Sequence, residues 1–454
     1  MKKLVTYFII ALLSVACNPR LTPVTVDVPK SYLYQNGGVS DSIPFKNQWW
    51  EAFGDTTLNR LITTALAENL DLKASASKII EAQQSLRTLR GNFLPQLGFG
   101  RQVGVSGSGS TTTQYYAIEP TVSWEIPLFG SLSSATTESK ATVEYAEWQH
   151  RGVRLALAAQ VATAYYTLLQ YRRDLIVAVE SSRLRSETAL LVDSLFTRGL
   201  ATGMHRQQAL SLLYTAQSDI PLYERQVRQV MATITTLTSS SVIDTTAYKT
   251  LDINAISDSP SIDIPVGVPS DLLYRRSDIA SAYALLVKAA SVAKQARIAR
   301  LPTLSLTAEG GVVADEVSKL LKSQSLGWST LLSFAQPIYR FGALRASERA
   351  AIEQYNQALY SYQQSFITAL AEVESALVEI ATTRKQSERY KSLIESNRRI
   401  AELSMALYRN GLSSYLDVID ASRSLFESQM QYSNLIASMY IAYVKLFKAL
   451  GGEV

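Results

Sequence analysis

The sequence predicts a mainly α-helical protein with a membrane β-barrel portion, made from two copies of one plan. Three observations carry that prediction. Two stretches, 95–126 and 303–336, alternate apolar with small or polar residues at a period of two, as strands with unlike faces do. Long stretches without proline carry apolar residues at steps of three and four, as packed helices do. The two strand stretches also recur at nearly one offset: Pro95 and Pro302 are 207 positions apart, Pro127 and Pro337 are 210 apart.

The chain begins with a signal peptide, 1–16. Lys2-Lys3 precedes the apolar run Leu4 to Leu13, and small residues follow. Cys17 comes next, in Ser14-Val15-Ala16-Cys17, and is the one cysteine of 454 residues, which excludes an internal disulfide. The run resembles a bacterial lipobox, with Ser14 where an aliphatic residue is usual. The resemblance implies that Cys17 becomes the first mature residue and carries acyl chains such as palmitate, tethering the chain to a membrane. The alternative is ordinary cleavage beside an incidental cysteine. Residues 17–54 read as an extended, lipid-anchored segment.

The first repeat, 55–240, opens with a helix from Asp55 to about Arg90, carrying Leu58, Leu61, Ile62, Ala65 and Leu66 on one face. The first hairpin follows. Leu97, Phe99, Val103 and Val105 share a face with Tyr116, Ile118, Val122, Trp124 and Ile126. Strands of about 10 residues with an apolar face suit lipid. The other face carries Glu119 and Glu125, with Glu309 in the second hairpin, and is expected to line the lumen. Leu132 to Arg198 is a helix whose seam runs Leu157, Val161, Ala164, Leu168, Tyr171, Leu175, Ala178. At ~1.5 Å per residue it reaches on the order of 100 Å. Gly199-Leu200 is a tip turn, and Thr202 to Ser239 returns antiparallel, with a kink expected at Pro221.

Residues 241–268 form a polar linker. The second repeat, 269–454, has the same order: a helix from Pro269 to about Arg300, the hairpin, a helix from Ala343 to Asn410, the tip turn Gly411-Leu412, and a return from Ser413 to Leu450. Four strands are too few to close a barrel, since the smallest membrane barrels use eight. No apolar run after residue 17 is long enough for a membrane-spanning helix, so a spanning structure must be a closed barrel. Several copies must therefore pool their strands.

Charged residues make up 18% and hydrophobic residues 47% of the chain, with a net charge of +5. The charge is spread out, so no nucleic-acid partner is expected. No catalytic constellation, phosphate-cradling loop or nucleophile elbow is present. His150 and His205 lack metal-ligand spacing. The chain is expected to be no enzyme and to hold no cofactor or metal.

Several motifs together resemble the outer-membrane efflux proteins, the TolC-like exit ducts, and most closely their lipoprotein branch serving resistance–nodulation–division (RND) pumps. They are Trp49-Trp50 to Phe53-Gly54-Asp55; Pro265-Val266-Gly267-Val268-Pro269-Ser270-Asp271-Leu272-Leu273 with Arg275-Arg276 and Asp278-Ile279; Leu301-Pro302; Asp219-Ile220-Pro221; and Gly411-Leu412 with Asp417-Val418-Ile419-Asp420-Ala421. Ser277 stands where the family usually has proline. The resemblance implies a homotrimer in the outer membrane, extending into the periplasm. In it three chains share one β-barrel, four strands each, and join their helices in a trimeric α-barrel. The implied partners are a periplasmic adaptor (membrane fusion) protein, an inner-membrane RND-type pump and outer-membrane lipid.

The resemblance also places Asp417 and Asp420 as a ring of acids narrowing the periplasmic entrance. Close like charges there would raise carboxyl pKa values and attract cations. Without it, both read as acids near a helix N-terminus. Tyr408 matches a family tyrosine that bonds to an acid after the first tip turn; His205 stands opposite here, and Ser413 replaces the latch arginine of TolC. Two readings of His205 stay open, a pH-sensitive latch to Tyr408 or a histidine packed on a helix surface. For function, an efflux duct is expected, with a type I secretion channel of the same fold as the alternative. A trimeric coiled-coil adhesin would lack repeated hairpins and tip acids.

Overall fold

Asp55 opens the helical body. Its Oδ1 accepts hydrogen bonds from the N–H groups of Thr57 and Leu58 at 2.8 and 3.1 Å, capping donors that a helix start leaves free. The computed structural model describes residues 21–24, 29, 31–33, 48–240 and 275–452. Cys17 with its signal peptide, the linker, and the expected helix start at Pro269 lie outside them.

Helix α1 spans Thr56–Glu68 and α2 spans Leu70–Asn92. The sequence predicts one helix here, and Asn69 divides it. Its N–H still closes on the Ala65 carbonyl, but at ψ 127° the chain leaves the helical path. Its side chain then accepts from Leu72 N–H at 2.9 Å, starting α2, and donates to the Leu237 carbonyl at 2.9 Å. A short polar side chain that caps both ways outcompetes an unbroken backbone ladder.

Four antiparallel strands follow the order β1-β2-β3-β4: Gln96–Ser108, Thr111–Ile126, Thr303–Ala314 and Leu326–Ala335. The β2–β3 pair joins the repeats. Register puts Leu97 opposite Val122, Val122 opposite Ala308, and Ala308 opposite Thr330, so one face runs continuously across the sheet. That face leaves Leu97 and Trp328 82% and 83% exposed. Glu119, Glu125 and Glu309 share the other face. At Gly311 the backbones of β2 and β3 come so close that a Cβ would sit 2.1 Å from the Ile118 carbonyl oxygen. The outer edges of β1 and β4 have no strand partner among the described residues.

The sequence pairs Pro127 with Pro337 as repeat mates, and the register corrects this. Gln96 faces Ser123, while its mate Thr303 faces Ala335, so β2 and β4 are related by 212 positions. Phe129-Gly130 and Phe341-Gly342, all at positive φ, lie at that same spacing.

The remaining helices are α3 (Ser131–Thr197), α4 (Gly203–Leu237), α5 (Ser277–Ile298), α6 (Ala343–Arg409) and α7 (Tyr415–Ala449). Both α3 and α6 have 67 residues and both α4 and α7 have 35, so the repeat is kept to the residue through the tip turns. Helix α4 runs through Pro221 without ending. No described helix is both long and apolar enough to cross a membrane.

The described residues fall into two compact units, each drawing on both repeats. One holds the sheet with Ser75–His150 and Asp278–Ser365. Within it Ser75 Oγ meets His150 Nδ1 at 2.7 Å, and Ser134 Oγ donates to the Ser291 carbonyl at 3.0 Å. The other holds residues 48–74, 151–240, 275–277 and 366–452. Its core is aromatic: Trp49 stacks on Phe447 at 5.2 Å and Tyr166 on Tyr440 at 4.6 Å. Beside it the Tyr165 hydroxyl donates to Asp55 Oδ2 at 2.6 Å, so one carboxylate caps α1 and anchors α3.

Candidate functional site

The two tip turns are built alike. Gly199 N–H donates to the Phe196 carbonyl and Leu200 N–H to the Leu195 carbonyl, both at 2.9 Å. Gly411 N–H donates to Tyr408 at 3.0 Å and Leu412 N–H to Leu407 at 2.9 Å. This paired closure needs a left-handed residue after the helix, and Gly199 and Gly411 supply φ of 73° and 72°. Leu200 and Leu412 are left 73% and 74% exposed.

Behind the turns, Ala189, Val192, Ala209, Tyr408, Tyr415, Val418 and Ile419 form a buried cluster. His205 belongs with it. Its ring lies 6.4 Å edge-on from Tyr408 and 5.9 Å from Tyr415. Its Nδ1 is buried and has no hydrogen-bond partner among the described residues. The structure thus brings Tyr408 and His205 together as packed rings and not as the hydrogen-bonded pair that one sequence reading offers. Burial pushes the Tyr415 hydroxyl up to about 12 and raises Tyr408 as well.

The two acids have different surroundings. Asp417 Oδ2 accepts from Ser413 Oγ at 2.6 Å and from Ser414 N–H at 3.0 Å, making a reciprocal cap with the Ser414 side chain at the start of α7. The Ser413 hydroxyl and the Ser414 N–H hold this carboxyl below its usual range. Asp420, one turn on, is exposed and has Arg423 4.0 Å away. Ser413 is therefore placed to orient Asp417.

One acid passes unnoticed in the sequence. Asp174 sits on α3 inside the polar run Gln170-Tyr171-Arg172-Arg173-Asp174, at a position the seam pattern skips. It is buried, while Tyr171 and Leu175 of the expected seam are half-buried. Its Oδ1 has no hydrogen-bond partner among the described residues. Desolvation pushes the carboxyl up to about 6, against hydrogen bonds from Ser433 and Gln170 and the charge of Arg173. No group of three or more His, Cys, Asp or Glu side chains suited to a metal ion occurs among the described residues.

A sheet with lipid-type faces, paired long helices and twinned tip turns is the geometry to compare with known proteins. The profile of the outer membrane efflux protein family matches residues 61–240 and 268–452. The chain belongs to the outer membrane efflux protein family. It is 30% identical over 447 residues to the pyoverdine export outer membrane protein OpmQ of Pseudomonas putida, covering 95% of this chain and 93% of that one. It is 32% identical over 418 residues to the toluene efflux pump outer membrane protein TtgF of Pseudomonas putida, covering 89% and 85%. The Campylobacter jejuni CmeC outer membrane channel superposes with a TM-score of 0.88 at 23% identity, over 96% of this chain and 94% of that one, a likeness of fold. The fold of this efflux-family chain is that of the TolC-like channels, long paired helices with a four-stranded antiparallel sheet.

Proposed function

We propose that this chain is the outer-membrane exit duct of a tripartite efflux system. It would conduct small solutes passively from an inner-membrane pump and a periplasmic adaptor to the exterior. The observation that carries this is the sheet: four strands with an exposed apolar face and two edges that have no strand partner among the described residues, on a chain of the efflux family. Water makes such a face costly, at roughly 25 cal/mol for each Å² of apolar surface, and lipid removes that cost. Open edges in lipid are costlier still, so copies must join into a closed barrel. A homotrimer with twelve shared strands is the assembly proposed, anchored through lipid on Cys17. The named relatives serve pyoverdine and toluene export, which favours efflux over type I secretion for this chain.

In this reading Asp417 and Asp420 ring the periplasmic entrance, and Leu200 and Leu412 offer apolar tips to the adaptor. Tyr408 and His205 brace the entrance by packing. The test is a strain lacking the gene. Toxic solutes should accumulate in it, the intact chain should restore export, and the purified protein should form conducting pores in planar bilayers. A purified protein that restores nothing and conducts nothing would end this reading.

A further inference from the structure

One side chain breaks the lipid-type face of the sheet. On β1, Leu97, Phe99, Val103 and Val105 are 66% to 82% exposed, and Arg101 stands in the middle of their column. Side chains alternate across a strand, so Arg101 shares their face. It is exposed, and it is the one basic residue of the four described strands. The acids of those strands, Glu119, Glu125 and Glu309, lie on the other face. The edge strands β1 and β4 carry no acid, so copies joined along those edges bring it no carboxylate from them. An arginine facing lipid without a partner is costly, and its long side chain reaches for the membrane surface or for a counter-charge.

The surroundings of Arg101 give it a direction. It pairs with Ile118. Toward the α2 end of the hairpin, the neighbours on its face are Phe99, Pro120, Leu97 and Val122, none with a side-chain hydrogen-bonding group. Toward the hairpin tip stand Tyr116, opposite Val103, and Gln114, opposite Val105. Diagonal neighbours on one face are roughly 7–8 Å apart, within reach of long side chains. The polar groups therefore climb from Arg101 toward the tip, the exterior end of the duct. Resting on the duct reading above, we propose that Arg101, with Tyr116 and Gln114, holds the phosphate of a lipid A-type phosphorylated glycolipid in the outer leaflet. The guanidinium takes phosphate oxygens in two parallel hydrogen bonds. The Tyr116 hydroxyl and the Gln114 amide suit the sugar that carries the phosphate. The site turns an expensive charge on the lipid face into a contact with the lipid itself.

Native mass spectrometry of the assembled full chain tests this. The protein is stripped of lipid in detergent and then given lipid A, lipid A without its phosphates, or phosphatidylglycerol. It should retain lipid A over the other two, and Arg101→Gln should retain roughly tenfold less, as loss of one charge-assisted contact implies. Lipid A should raise the melting temperature of the intact chain by several degrees and leave that of Arg101→Gln unmoved. Tyr116→Phe, which keeps the ring and the charge of Arg101, should weaken retention without changing the melt in lipid-free detergent. Equal retention of lipid A with and without phosphate, or retention unchanged in both variants, would overturn the lipid site while a conducting oligomer leaves the duct standing. A preference for phosphatidylglycerol would overturn the glycolipid. A chain that forms neither oligomer nor pore would overturn the duct and the site together.

Discussion

Asp417 is a cap before it is a gate. Its carboxylate is spent on Ser413 and Ser414, so replacing it with alanine removes a helix start and a charge at once. Asp417→Asn keeps an acceptor and removes only the charge. We expect Asp417→Asn with Asp420→Asn to lower cation preference and raise conductance in planar bilayers, with thermal stability unchanged. Asp417→Ala should in addition cost about 1 kcal/mol of stability. An unchanged ion preference in the asparagine pair would remove the acids from the entrance. Asp174 makes a prediction of opposite kind. Its folded carboxyl is raised to about 6 from an ordinary 3.8, so the folded chain holds the proton more tightly than the unfolded one. Stability is full below about pH 4 and falls as pH rises through 6, by at most about 3 kcal/mol. Asp174→Asn should therefore raise the melting temperature at pH 7.5 and change it little at pH 4. Melts that respond equally at both pH values would show that the carboxyl is not the cause. The burial of Asp174 was not legible in the sequence, because it depends on which remote neighbours surround the acid, whereas the cap at Asp417 rests on the local spacing Ser414-x-x-Asp417.

Among the elements, the tip turns were expected from glycine after a long helix, and Gly199 and Gly411 lie at φ of 73° and 72°. Their likeness in hydrogen bonding needed the structure. Gly199→Ala and Gly411→Ala should each destabilise by about 1 kcal/mol or more, since a side chain resists φ near 70°; melting of the purified protein measures this. Leu200→Asp with Leu412→Asp should leave oligomer and pore intact and weaken capture of the adaptor. Retained capture would place the docking surface elsewhere on the chain. The strands were legible because alternation has a period of two. The break at Asn69 was not, because asparagine in a helical run gives no pattern; it caps because Leu237 and Leu72 happen to lie within reach. The proline pair Pro127 and Pro337 misled by two residues, since chemical likeness at a strand end does not fix backbone pairing.

At the scale of the molecule, the proposed assembly rests on counting: the described residues hold four strands and two edges without a strand partner, too few to close a membrane barrel alone. Lipid on Cys17 would hold that chain at the membrane while the barrel closes. Cys17→Ser should lose palmitate incorporation and slow the appearance of oligomer, while oligomers that do form conduct as before. Unaltered palmitate labelling would show that the lipid sits elsewhere. The sequence alone determined the fold class, the doubled plan and the alternation of the strands, because periodicity is a local property written in residue order. Tertiary structure decided the register between repeats, the ring packing of His205 and the burial of Asp174. The cap at Asp417 is local, made with Ser413 and Ser414; the other three depend on which distant residues come within a few ångströms, and spacing along a chain does not encode that distance.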